Sequence, residues 1–222
     1  MRVRLFLAVF CTALLTGCGM IPFAAPKDKE TIVVNGNSQF TPAGIEAIKK
    51  SLTAQFDFTK LPLEMSALGF AEDSDGVLMA VDRDELITVS ITTPGGIVEM
   101  KTDKIRVRPD IDGTVSHLDF FLHYPDAQDA NTEIRHAADD LGFVVMQSWD
   151  PIGPGFKDGS GKELVNPGYG NKTGTVFSLE MHSNHDLGSM TLIYSALLRA
   201  ELYTPEVTES IATTGQRPRK YS

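Results

Sequence analysis

The 222 residues make one domain, or one and a half at most, and 20 Lys+Arg against 29 Asp+Glu give a formal net charge of −9. A hydrophobic fraction of 42% with 22% charged residues belongs to a chain that can fill a core. These values exclude wholesale disorder, a collagen-like chain, a polytopic membrane protein and a general nucleic-acid binder, which is normally basic.

Met1 to Arg4 carry two positive charges, Arg2 and Arg4, and Leu5 to Leu15 is an apolar run of eleven residues interrupted only by Thr12. A helix needs about 20 apolar residues to cross a bilayer, so this run has the length of a signal-peptide core instead. It ends in Leu15-Thr16-Gly17-Cys18. On those residues the chain resembles the bacterial lipoproteins, whose signal segment closes on Leu, a small residue, Gly or Ala, then Cys. The resemblance covers residues 1–18 and leaves the family of the folded part unassigned. It implies cleavage after residue 17, diacylglycerol on the Cys18 sulfur and, usually, an acylated amino group. Two or three acyl chains meet the requirement for stable anchoring, which a single chain does not. The expectation is a protein held at the lipid bilayer through acylated Cys18. Gly19 in place of Asp points, by the same resemblance, to the outer membrane with the body facing the periplasm.

The only other cysteine, Cys11, lies in the segment to be removed, so the mature domain has neither disulfide nor free thiol. Loss of Arg2 and Arg4 leaves 18 basic against 29 acidic side chains, a net −11. Such a body stands off an anionic lipid surface. Residues 18–30 hold Pro22 and Pro26 without periodicity and read as a tether, about 40 Å long when extended.

Residues 31–203 read as a single α+β domain, an antiparallel or mixed sheet with helices packed on one side. Thr31–Val34 is a short strand stopped by Asn35-Gly36-Asn37. Thr41-Pro42 is an N-cap and first-turn pair, and Ile45, Ile48, Leu52 and Phe56 keep helical spacing behind it. Residues 57–75 are irregular. Strands follow at Val77–Val81, Leu86–Thr93, Ile97–Lys101 and around Ile105 and Val107, with turns at Pro94-Gly95-Gly96 and Asp112-Gly113. Val115–Tyr124 alternates most clearly, with Leu118, Phe120, Leu122 and Tyr124 opposed to His117, Asp119, Phe121 and His123. A helix from about Asp129 to Leu141 closes at Gly142, and Phe143–Trp149 returns as a strand.

Residues 150–174 hold seven glycines and three prolines and read as one long loop. Thr175–Ser183 alternates as a strand. Met190–Leu202 suits a strand by its apolar even positions and a helix by Met190, Ile193, Tyr194, Leu197 and Leu198; the alternation favours the strand. From Thr204 the chain turns polar, and 204–222 reads as a flexible tail.

Two candidate sites emerge. Glu180, His182 and His185, with His117 if its strand pairs alongside, supply carboxylate and imidazole suited to a divalent metal, though no diagnostic ligand spacing is present. The same residues also fit the solvated face of a one-sided sheet. The long loop offers Phe156, Lys157, Lys162 and Tyr169 to a protein partner. It carries no P-loop, because Gly155 is one residue too far from Gly161-Lys162 and Glu163 follows; Ser160 is outside any G-x-S-x-G. Lys104, Arg106 and Arg108 share one face of a strand, able either to touch an acidic partner or to keep that strand soluble. The leading expectation is a membrane-anchored envelope lipoprotein that binds another envelope protein without catalysis and without a cofactor beyond its lipid. The alternative is a metal-binding protein or metal-dependent hydrolase.

Overall fold

The computed structural model describes residues 31–71, 74–125, 127–144, 164–165, 168–184 and 189–218. After the hairpin β1 (Val33–Val34) and β2 (Asn37–Ser38), helix α1 (Pro42–Ser51) starts as its sequence demands. The Thr41 hydroxyl accepts from the Gly44 N–H at 3.1 Å, and Pro42 takes the first turn, where its missing N–H costs nothing. Gly44 has to be glycine for a different reason: a Cβ there would lie 2.1 Å from the Gln39 carbonyl oxygen.

The helix stops one turn earlier than apolar spacing predicts. Leu52 takes a left-handed conformation, φ 53°, and its N–H closes on the Ile48 carbonyl. Phe56 therefore belongs to strand β3 (Thr53–Asp57), which pairs in parallel with β5 (Ile87–Thr93). With β6 (Gly96–Thr102) antiparallel to β5, these form a three-stranded sheet in the order β3-β5-β6. Within residues 57–75, Met65–Leu68 form one turn of 3-10 helix with Met65 and Leu68 buried.

The larger sheet is built from β4 (Val77–Ala80), β7 (Lys104–Pro109), β8 (Val115–Tyr124), β9 (Leu164–Val165), β10 (Tyr169–Gly170), β11 (Val176–Asn184) and β12 (Ser189–Leu197). Its order among the described residues is β10-β11-β12-β8-β7-β4, with β9 also on β11, and every pair is antiparallel. The α+β class with mixed pairing thus holds. Its inner face packs on the smaller sheet: Phe40 and Phe58 flank Phe56, and Phe56 meets Phe120 of β8 at 6.0 Å. Helix α2 (Ala127–Leu141) covers the rest of that face with Ala130, Ile134, Ala137 and Leu141 and ends at Gly142, φ 78°. Phe143 and Val144 carry no strand, and the remainder of Phe143–Trp149 lies outside the described residues.

One sequence expectation, the strand at Met190–Leu202, holds for most of its length, and two others are corrected here. Met190–Leu202 divides into β12 and a 3-10 turn at Ala200–Tyr203; β12 is a central strand buried on both faces, so its apolar residues fill both phases and blur the period. The loop 150–174 is tied to the sheet by β9 and β10, each paired with β11. The stretch from Thr204 is no loose tail: α3 (Pro205–Thr214) has Thr204 as its cap, Pro205 at its start and Gly215 at its close. Val207 and Ile211, one turn apart and fully buried, pack with Leu202 on Val176 and Leu197, on the face of the sheet opposite α2.

Tyr203 joins this second cluster to the sheet. Its hydroxyl donates to the Leu197 carbonyl at 2.6 Å and accepts from the Val176 N–H at 3.3 Å; burial pushes its phenol up to about 12. Tyr203→Phe removes both of these hydrogen bonds at the end of the β11–β12 pairing and should cost about 1–3 kcal/mol in urea unfolding. An unchanged midpoint would mean that α3 and its preceding turn contribute nothing to the cooperative fold.

Candidate functional site

Strand alternation carries one set of polar residues to the outer face of the larger sheet, and the register sorts them into rows. Arg106 lies opposite Asp119, which lies opposite Ser195. Lys104 lies opposite Phe121, followed by Ile193 and Glu180. Arg108 lies opposite His117, and His123 opposite Thr191 and then His182.

Asp119 is the centre of this face. Its side chain is 0% exposed, in a strand whose other residues are mostly apolar. Arg106 Nε donates to one carboxylate oxygen at 2.7 Å; Arg108 donates to the same oxygen through Nε at 2.8 Å and to the other through Nη2 at 3.2 Å. Burial alone would raise this carboxyl, but hydrogen bonds from Arg108, Ser195 and Arg106 outweigh it and hold the group below the usual carboxylate range. The two arginine side chains are thereby held on the buried anion while 37% and 42% of their surface stays exposed. Arg106 and Lys104 also sit over the Phe121 ring, at 5.1 and 5.3 Å from its centre. Three cations against Asp119, and Asp103 beside Lys104, leave this strip positive on a chain that is acidic as a whole.

Their surroundings lower both His117 and His123, the two histidines of β8 beside the strip. His117 is lowered by burial and by the Arg108 charge, and its Nδ1 is 2.8 Å from the Ser116 hydroxyl. His123 is lowered by burial and by Arg83, whose Nη1 is 3.2 Å from its Nε2. Arginine only donates, so His123 Nε2 is the acceptor and Nδ1–H faces the Thr191 hydroxyl at 3.4 Å. Asp103, buried beside Lys104, His123 and Arg83, is raised by that burial.

The structure brings Glu180 and His182 together, with Oε2 and Nε2 3.5 Å apart. His117 is not with them: β12 separates β8 from β11, and the residue of β8 in the His182 row is His123. His117 sits six positions along that strand, roughly 20 Å away at about 3.4 Å per residue. His185 lies outside the described residues, as do Cys18, Phe156, Lys157 and Lys162. No group of three or more His, Cys, Asp or Glu able to hold a metal occurs among the described residues. Tyr169 is half-buried against the α3 cluster, its ring 5.0 Å from the Arg217 guanidinium, so its visible role is packing. The part played by Asp119 and Ser195 had one sequence signal, the single acidic residue of a mostly apolar strand.

No family model, curated protein or solved structure matches the chain. No described helix is long and apolar enough to cross a membrane.

Because the folded Asp119 carboxyl is lowered, its contribution to stability is complete above about pH 4, the ordinary value of an unfolded aspartate, and is lost as pH falls through the folded value. Asp119→Asn should cost about 2 kcal/mol at pH 7 and flatten the acid limb of stability against pH. Denaturant titrations of both proteins from pH 7 to pH 2 test this, and superimposable acid limbs would contradict it.

Proposed function

We propose that this chain is a lipid-anchored lipoprotein of the cell envelope whose α+β body binds an acidic surface of another envelope protein and does no chemistry on it. The observation that carries the anchor is the ordered run of Arg2, Arg4, the apolar Leu5–Leu15 segment and Leu15-Thr16-Gly17-Cys18. By the resemblance of that run to bacterial lipoproteins, Cys18 takes the lipid and Gly19 favours the outer membrane, with the body in the periplasm. The strip Lys104, Arg106, Arg108 and Phe121 supports the binding reading. Its cations are held in one orientation by a buried carboxylate, so they meet a partner with little further loss of side-chain freedom. An exposed cation pair on a mobile surface would lose more, and the aromatic ring between them adds apolar contact area.

Expressed in a bacterium with lipoprotein processing, the chain should fractionate with membranes. Its intact mass should match residues 18–222 plus acyl groups. Cys18→Ser should move it to the soluble envelope fraction or leave it unprocessed. Equal membrane association of Cys18→Ser and parent, with no lipid mass on either, would defeat the reading.

A further inference from the structure

On the inner side, where α2 meets the edge strand β6, lies a cavity of about 60 Å³. One water needs roughly 10–15 Å³ on this measure, so the space takes a small headgroup and a short stem. Val98, Met100 and Leu141 give it apolar walls, and Glu133 and Asp140 of α2 supply carboxyl groups; Glu99 borders it from β6, with its side chain on the alternate, exposed face of that strand. Glu133, Ala137 and Asp140 recur at helical spacing, which is why one face of α2 is both apolar and acidic there. His136 completes the titratable lining.

The cavity also holds an unsatisfied group. Tyr194, on the inner face of β12, is 4% exposed, lines this space, and its hydroxyl finds no hydrogen-bond partner among the described residues. A buried hydroxyl left in that state costs free energy that a ligand could recover. The adjacent Tyr124 hydroxyl is already bound to Glu133, so Glu133 stands between two phenols. Burial first, then the Glu133 charge, push both phenols up, and each remains a neutral hydroxyl at physiological pH.

We propose that this seam binds a primary ammonium group on a short aliphatic stem, with the ammonium between the Tyr194 hydroxyl oxygen and the Glu133 carboxylate and the stem along Met100 and Leu141. An anion would meet the carboxyl groups of Glu133 and Asp140, and a neutral hydroxyl compound would leave their charge uncompensated. An ammonium has three donors for the oxygen acceptors present and compensates the charge. This site lies on the face opposite the cationic strip and is independent of the function proposed above.

The test is calorimetric titration of the full chain with n-butylammonium and with Nα-acetyl-lysine methylamide. The neutral controls are n-butanol and the Nε-acetylated lysine compound. Both ammonium compounds, or the lysyl compound alone, should bind, and the neutral controls should not. The first result assigns a diffusible amine and the second a lysine side chain borne by a protein. Tyr194→Phe and Glu133→Gln should each weaken binding by about tenfold or more, the loss of a hydrogen bond to a charged group. Glu85→Gln, in a distant turn, should leave it unchanged. Tyr194→Phe should melt no lower than the parent, because the deleted hydroxyl has no partner to lose. Absence of binding by both ammonium compounds, equal binding of the neutral controls, or an equal loss with Glu85→Gln would overturn the proposal.

Discussion

A carboxylate with no exposed surface organises the outer face of the larger sheet. Asp119 sits in the middle of β8, between strands that pair on both sides, where an unpartnered charge would be prohibitively costly. Two guanidiniums and the Ser195 hydroxyl satisfy it, and the pull is mutual. Arg106 and Arg108 extend along the sheet instead of sampling solvent, and Phe121 is enclosed beneath Arg106 and Lys104. Buried ion pairs are seldom a net source of stability, because desolvation offsets much of the attraction. What this one supplies is a fixed arrangement of positive charge on an acidic molecule. The binding role proposed for that face follows from the fixed arrangement more than from the number of charges.

The two faces of the sheet differ in charge because of what covers them. The inner face is closed by the smaller sheet and by α2, whose acidic residues border the seam with β6. Among the described residues, the outer face is closed only at one end, where α3 packs on Val176 and Leu197. Beyond α3, the polar rows of β7, β8, β12 and β11 include the Lys104–Arg108 strip. An acidic pocket and a basic strip thus lie on opposite sides of one sheet. In the proposed tethered state, the two would face different neighbours.

Much of this architecture was legible in the sequence wherever a single period dominated. Val115–Tyr124 alternates cleanly and is β8 residue for residue, and Thr41-Pro42 caps α1 as read. The same reasoning applied to Thr204-Pro205, with Val207 and Ile211 a turn apart and Gly215 behind them, would have found α3. The polar composition around those two apolar residues concealed it, since a helix that buries only one narrow stripe has little hydrophobic signal. Phe56 misled for the opposite reason: its spacing continued the helix, but Leu52 turns left-handed and the chain enters the parallel pairing with β5, which no local pattern announces. The histidines could not be placed from sequence because their convergence depends on strand order. With β12 inserted between β8 and β11, His123 shares a row with His182 and His117 does not.

The cation strip depends on Asp119 remaining ionised while buried, and that is directly measurable. Carbon-detected NMR titration of the full chain, labelled at aspartate side-chain carboxyls, reports the Asp119 carboxyl as pH is lowered. A midpoint clearly below about 3.9, the ordinary aspartate value, with the Arg106 and Arg108 Nε signals shifting in step, is the expected result. A midpoint at or above that value, or arginine signals indifferent to the transition, would mean that the carboxylate does not hold the guanidiniums and that the outer face has no fixed positive strip.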